Sequence, residues 1–173
     1  RGFRKLGFGG VGVDGLAKEA GVTSGAFYGH FPSKADAFKA AAVAGMIDVR
    51  VAIERTRASE GPAWLSKFAD FYMNAKRTCD LSEACALQSL TPEVGRADAD
   101  TKAAYEAELV KAVDAMAEGL TGGTLAARRT TAWAILSMLS GGVTLARATD
   151  GPKVGAKIAS DVKAAVAKLA KQN

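Results

Sequence analysis

The first strongly periodic stretch is GVDGLAKEAGV, in which Val13, Leu16, Ala17 and Ala20 stand at i, i+3, i+4 and i+7. That spacing gathers them on one face and predicts a helix of about two turns. Gly21 follows the last periodic position, so it predicts a left-handed closing residue with Val22 packing back onto the core. Thr23 then offers a hydroxyl to the free amides of a second helix, predicted from Ser24 to Phe31. Phe27 and Phe31, four apart, form its buried side. Ser24, Gly25, Tyr28 and Gly29 make up a different face, small and polar. Pro32 ends this helix, and SKAD restarts the chain with Ser33 as N-cap and Asp36 three residues on. The long helix so opened is predicted from Lys34 to about Arg57.

Downstream, the pattern predicts three helices between residues 61 and 120. PAWLSKFADFYMNAKR begins on Pro62, a short helix lies near EACALQSL, and ADTKAAYEAELVKAVDAMAEGL ends before Gly122 and Gly123. Trp64, Phe68, Phe71, Tyr72, Cys85, Leu87, Gln88, Tyr105, Leu109, Met116, Trp133 and Met138 are expected to line a common interior. An aromatic stripe of this kind is either plain core or the wall of a pocket. In TTAWAILSMLSGGVTLA, Trp133, Ser137 and Gly141 recur at i+4, and small residues there let another helix approach closely. In VGAKIASDVKAAVAKLAK, Val154, Ile158, Val162, Val166 and Leu169 form one apolar stripe. Two such helices suit a four-helix interface between copies of the chain, or equally the core of one copy.

Composition narrows the fold class. Apolar residues make up 49% of the 173, aromatics 7%, and there are 4 prolines. Alanine loses no side-chain entropy in a helix, so composition and periodicity agree on an all-α protein with a sizeable core. The net charge of +5 is unevenly spread: residues 1–50 carry seven Lys/Arg against four Asp/Glu, the rest sixteen against fourteen. A basic N-terminal segment is either a solvated face or the footprint of a polyanion-binding module, and motifs must decide between them.

Several function classes lose support at this point. Cys79 and Cys85, six apart and without a nearby histidine, fit neither a zinc site nor a redox CxxC, and read as reduced thiols. No metal or cofactor is expected. The longest uncharged run, Thr130 to Ala146, is short for a bilayer span and holds several Ser, Gly and Thr residues, so it reads as a buried helix and no membrane partner is expected. No signal-peptide pattern opens the chain, which points to the cytoplasm. An enzyme lacks its parts: there is no nucleophile with a partner base and no HExxH, and GFGG at Gly7 to Gly10 leads into no strand. The one histidine, His30, cannot build a usual triad.

A short helix, a glycine turn and a second helix anchored on one aromatic side describe a helix-turn-helix, with Ala17 as the small residue where the two helices cross. The stretch VDGLAKEAGVTSGAFYGHFPSKADAF resembles the DNA-binding domain of the TetR family of bacterial transcriptional regulators. The resemblance is most specific in Gly21, Val22, Gly25, Tyr28, His30, Phe31 and Lys34, and ACALQSL around Cys85 is similar to a segment of one subgroup. It implies an N-terminal three-helix DNA-binding domain, residues 1–45, followed by a helical ligand-binding and dimerisation domain, residues 46–173. RGFRKLGFGG then reads as the end of a truncated first helix.

The same resemblance assigns roles. Thr23, Tyr28, His30 and Lys34 are expected on phosphates, with Ser24, Gly25 and Ala26 nearest the base edges. Taken singly, Tyr28 also reads as a half-buried aromatic, His30 as a packed histidine and Lys34 as a solvated charge. A homodimer on a double-stranded palindromic operator is implied, with Ser137, Gly141, Val154, Ile158, Val162 and Val166 at the interface. An unidentified small-molecule effector is implied among Trp64, Phe68, Phe71, Tyr72, Cys85, Gln88, Tyr105, Leu109, Trp133 and Ser137. The expected function is a ligand-responsive repressor. Two positions depart from the family pattern: Gly12 stands where Ser or Thr is common before the first helix of the motif, and Gly29 replaces a larger residue. They keep open the alternative of a helical ligand-binding or assembly protein on the same scaffold without DNA affinity.

Overall fold

The computed structural model describes residues 1–171, whose regular structure is all helical, with no strand among them. The last two residues of the expected body, 172 and 173, lie outside the described residues. Three short helices form the head: α1 (Gly2–Gly10), α2 (Val13–Ala20) and α3 (Ser24–His30). Each boundary has a local cause. Gly7 kinks α1 at a φ of 74°, a conformation that favours glycine. Gly21 closes α2 at φ 71° and ψ 25°. There its amide donates to Lys18 at 3.1 Å and the Val22 amide to Ala17 at 2.9 Å. Val22 itself departs from expectation and is 42% exposed. The seam between α2 and α3 is taken up instead by Ala17 and Phe27, both buried.

Thr23 caps α3 by accepting the Ala26 amide at 3.1 Å. Ser33 caps α4 (Lys34–Glu60): its Oγ accepts the Asp36 amide at 3.1 Å while its hydroxyl donates to the Asp36 carboxylate at 2.7 Å. At 27 residues α4 outruns the expected end at Arg57. It passes residue 45 without a break, so head and body share it. The body continues through α5 (Trp64–Phe71), which widens into a π turn at Tyr72–Lys76. Two short helices follow, α6 (Ala86–Ser89) and α7 (Thr91–Val94), then α8 (Ala99–Gly119), α9 (Leu125–Arg147) and α10 (Pro152–Ala170).

In the body, α4 packs chiefly on α8, and α9 packs on α10 and α8. Met46, Ile53, Phe68, Met116, Ile135 and Leu139 are fully buried between them. This cluster is continuous with Phe3, Phe27 and Phe38 of the head. Phe38 of α4 meets Phe3 and Phe8 of α1 edge-on, with ring centroids 5.3 and 5.4 Å apart. Trp133 and Phe71, both expected in this interior, are 42% and 46% exposed, Phe71 because it stands at the open side of α5. The inward face of α9 is filled by Ala132, Ile135, Leu136, Leu139 and Val143, which turns Trp133 to the outside.

The tightest helix approach is at Gly45 of α4, where an added methyl would collide with the methyl of Ala86 in α6. Gly45→Ala is expected to destabilise the protein by about 1–2 kcal/mol, because overpacking outweighs the gain in helix propensity. A urea denaturation midpoint at or above that of the parent would contradict this packing.

Candidate nucleic-acid interface

The head presents α3 with one side anchored and the other wet. Phe27 is buried, whereas Tyr28 beside it is 55% exposed. Thr23, Gly25, Ala26, Gly29 and His30 are also exposed; Ser24 and Lys34 are half-buried. The Phe27 ring packs against Phe31 and edge-on against Tyr28, at centroid distances of 5.5 and 5.6 Å. This ring stack fixes Tyr28 at the outer edge instead of letting it fold inward. The Lys34 ammonium sits 4.5 Å from the centroid of the Phe8 ring, a cation–π contact that holds it at the start of α4.

Hydrogen bonding on this edge is partly committed. The Thr23 oxygen accepts from Ala26, which leaves its O–H free to donate to an anionic oxygen. The Ser24 hydroxyl donates to Asp14 Oδ1 at 2.5 Å, tying the first turn of α3 to that of α2. Its oxygen is then left as an acceptor, the partner required by an exocyclic amino group on a base edge. No spacing rule pairs residues 14 and 24, so this bond was not foreseen. Gly29 has no atom within 4 Å of the position a Cβ would take, and Gly25 has only Thr23 Oγ1 at 3.8 Å. Bare backbone is thus open to close approach along the middle of α3. A protruding short helix with donors at its rim has the form that enters a major groove while its flanks hold the phosphates.

Residues 1–41, which hold this surface, match the family model described as bacterial regulatory proteins, tetR family. The N-terminal head is thus similar to the tetR family. Over the whole chain the fold is similar to a solved structure from Mesorhizobium loti MAFF303099 that bears the name of a TetR-family transcriptional regulator. That similarity has a TM-score of 0.69 at 15% identity and covers 96% of this chain and 88% of the other. At such low identity it is a likeness of fold. No protein of curated function matches the chain.

Behind the tetR-like head, the residues expected to line one pocket divide into several groups. Phe68, Phe71, Tyr72 and Cys85 do share a cavity, of about 270 Å³, with Arg4 of α1 and part of α4. Trp64 lies at a separate groove toward α10, and its indole N–H donates to the Gly119 carbonyl at 3.0 Å. The Tyr105 hydroxyl pairs with that of Thr91 at 2.5 Å. Leu109 is a partly buried core residue, and Gln88 is half-buried with an Oε1 that has no partner among the described residues. Trp133 and Ser137 lie on the outer face of α9. Both cysteines are free thiols.

The expected interface stripe divides too. Ser137 and Val154 are exposed, with Gly141 and Ile158 half-buried, but Val166 is buried within its own chain and Val162 lies against Gly142 of α9. The period of α10 places all its valines on one broad side, and the inner part of that side is taken by α9. No helix among the described residues is long and apolar enough to cross a membrane.

Head and body are also tied by polar links that sequence reasoning missed. The Arg4 guanidinium donates to the Ala84 carbonyl at 3.3 Å and to Asp48 at 3.2 Å. Arg1 pairs with Glu83 at 2.8 Å, and the Phe8 amide donates to Glu93 at 3.3 Å. Their partners lie too far along the chain for any local pattern to connect them.

Proposed function

We propose that the chain is a ligand-responsive transcriptional repressor that binds a palindromic operator as a homodimer. Residues 1–45 form its reading head and residues 46–173 its effector-binding and dimerising body. It acts in the cytoplasm, by binding and not by catalysis. The observation that carries this reading is the exposed, hydrogen-bonding edge of α3 inside the segment that matches the tetR family. Tyr28, Thr23, His30 and Lys34 hold phosphates on either side of the groove, and Ser24, Gly25 and Ala26 face the bases.

A head this small buries little surface, so two are needed, about one DNA turn (roughly 34–36 Å) apart. The pairing surface in this reading is the outer row of Trp133, Ser137, Gly141 and Leu145 on α9 with Val154 and Ile158 on α10; Val162 and Val166 are left to the core. The effector sits with Phe68, Phe71, Tyr72 and Cys85. It favours a state in which the spacing of the two heads no longer matches the groove, and the operator is released.

The decisive experiment is fluorescence anisotropy of the protein on DNA from its own upstream region, repeated across salt. Absence of binding to every palindrome there would favour the scaffold reading without DNA affinity, which Gly12 also suits because α2 lacks a side-chain cap. Lys34→Ala is expected to weaken binding similarly on all duplexes and to make the salt dependence shallower by about one unit in the log–log slope. Gly29→Lys, placed in open space on the same edge, is expected to tighten binding and steepen the slope by about one. An unchanged slope in both variants would remove these positions from the interface.

Gly141 has nothing within 4 Å of its would-be Cβ, so Gly141→Arg leaves the subunit fold intact. The variant is expected to sediment as a monomer with parental helical circular dichroism and to lose operator binding. A stable dimer would move the interface elsewhere.

A further inference from the structure

The cavity at the junction of head and body has a chemical character of its own. Phe68, Phe71, Val49 and Ala52 give it an apolar wall. Within that wall Tyr72 is 2% exposed, and its hydroxyl finds only the weakly bonding Cys85 thiol beside it, with no oxygen or nitrogen partner among the described residues. A buried hydroxyl left with so weak a partner is costly and uncommon, and calls for a reason. Tyr72 opens the π turn of α5, a widened helical turn that recurs where side chains are re-aimed for binding. Burial first, then the neighbouring Cys85 thiol and Tyr105, push its phenol well above the ordinary range. It therefore remains an O–H donor at any physiological pH. Burial likewise raises the Cys85 thiol and keeps it neutral.

Most of the charged groups at the rim are already matched, Lys76 alone meeting a neutral backbone carbonyl. Arg4 pairs with Asp48 at 3.2 Å, Glu83 with Arg1 at 2.8 Å, and Lys76 donates to the Glu83 carbonyl at 3.0 Å. An ionised ligand seated against the apolar wall would have to leave its hydration shell behind, with only the rim ammonium of Lys76 as counter-charge. At the packing density of protein interiors, 270 Å³ holds about ten non-hydrogen atoms, a single substituted ring.

We propose that this cavity binds a compact, uncharged, one-ring molecule that is apolar except for one acceptor oxygen, which takes the hydrogen bond of the Tyr72 hydroxyl. The site is the effector site of the regulator reading above, and the inference rests on that reading for its role.

The test uses the full chain without DNA and three probes of matched size: acetophenone, which carries a neutral carbonyl; cumene, which has no acceptor; and benzoate, which is charged. Affinities are measured by ligand-observed NMR titration. Acetophenone is expected to bind at least tenfold more tightly than either of the others. Tyr72→Phe, which removes only the oxygen, is expected to lower acetophenone binding to the level of cumene and to leave cumene unchanged. Ala52→Phe, which fills the cavity from α4, is expected to abolish binding of both. Equal affinity for acetophenone and cumene, preference for benzoate, indifference to Tyr72→Phe, or no binding by any probe would each overturn the proposal. Since no DNA is present, loss of the operator reading would leave these results standing; operator binding without acetophenone binding would sink the cavity proposal alone.

Discussion

A seven-residue helix cannot hold itself together in water, since one turn of hydrogen bonds does not repay the ordering of its backbone. The α3 helix exists because Phe27 is buried beneath it, Thr23 satisfies an amide at its start, and Pro32 prevents it from running on. This anchoring decides everything on the outer side. With one ring clamped inward and Phe31 packed against it, Tyr28 is turned outward and the glycines expose backbone. In the proposed reading, recognition and stability are therefore carried by opposite faces of the same two turns. A larger apolar residue on the outer face would add no core and would spoil the groove-facing edge.

The second constraint is the continuity of α4. Caps at Ser33 and Asp36 start it, and its buried residues, from Ala37 and Phe38 to Ile53, join the core of the head to that of the body. The polar ties of α1 to residues 83, 84 and 93 reinforce the same junction. The 270 Å³ cavity lies beside that junction, lined jointly by Arg4, α4 and α5. Whatever fills it touches elements of both parts at once.

Much of the head was legible because its signals are local. Gly21, Thr23, Pro32 and the Ser33–Asp36 pair each act on the chain within a few residues, and the helix limits they predicted differ from the observed ones by about a turn or less. The all-α class followed from periodicity and alanine content. The outward orientation of Trp133 was not legible, because α9 carries apolar residues around most of its circumference and period alone does not rank its faces. The inward turn of Val162 and Val166 escaped for a similar reason, since the stripe on α10 is wider than the face α9 covers. The Ser24–Asp14 bond, the Arg4 links and the buried hydroxyl of Tyr72 depend on three-dimensional approach between distant segments, and no pattern in the chain encodes them.

A straight rod shared by two bodies magnifies angles. At 1.5 Å per residue, α4 is about 40 Å long. The cavity meets it near its middle, about 20 Å from the head end, so a tilt of about 5° there would displace that end by roughly 2 Å, and in a symmetric pair the two displacements add. Groove recognition tolerates little error in the separation of two reading helices. Sub-ångström adjustment around a buried ring is thus geometrically sufficient to put both heads out of step with the duplex, with no joint in the rod needing to bend.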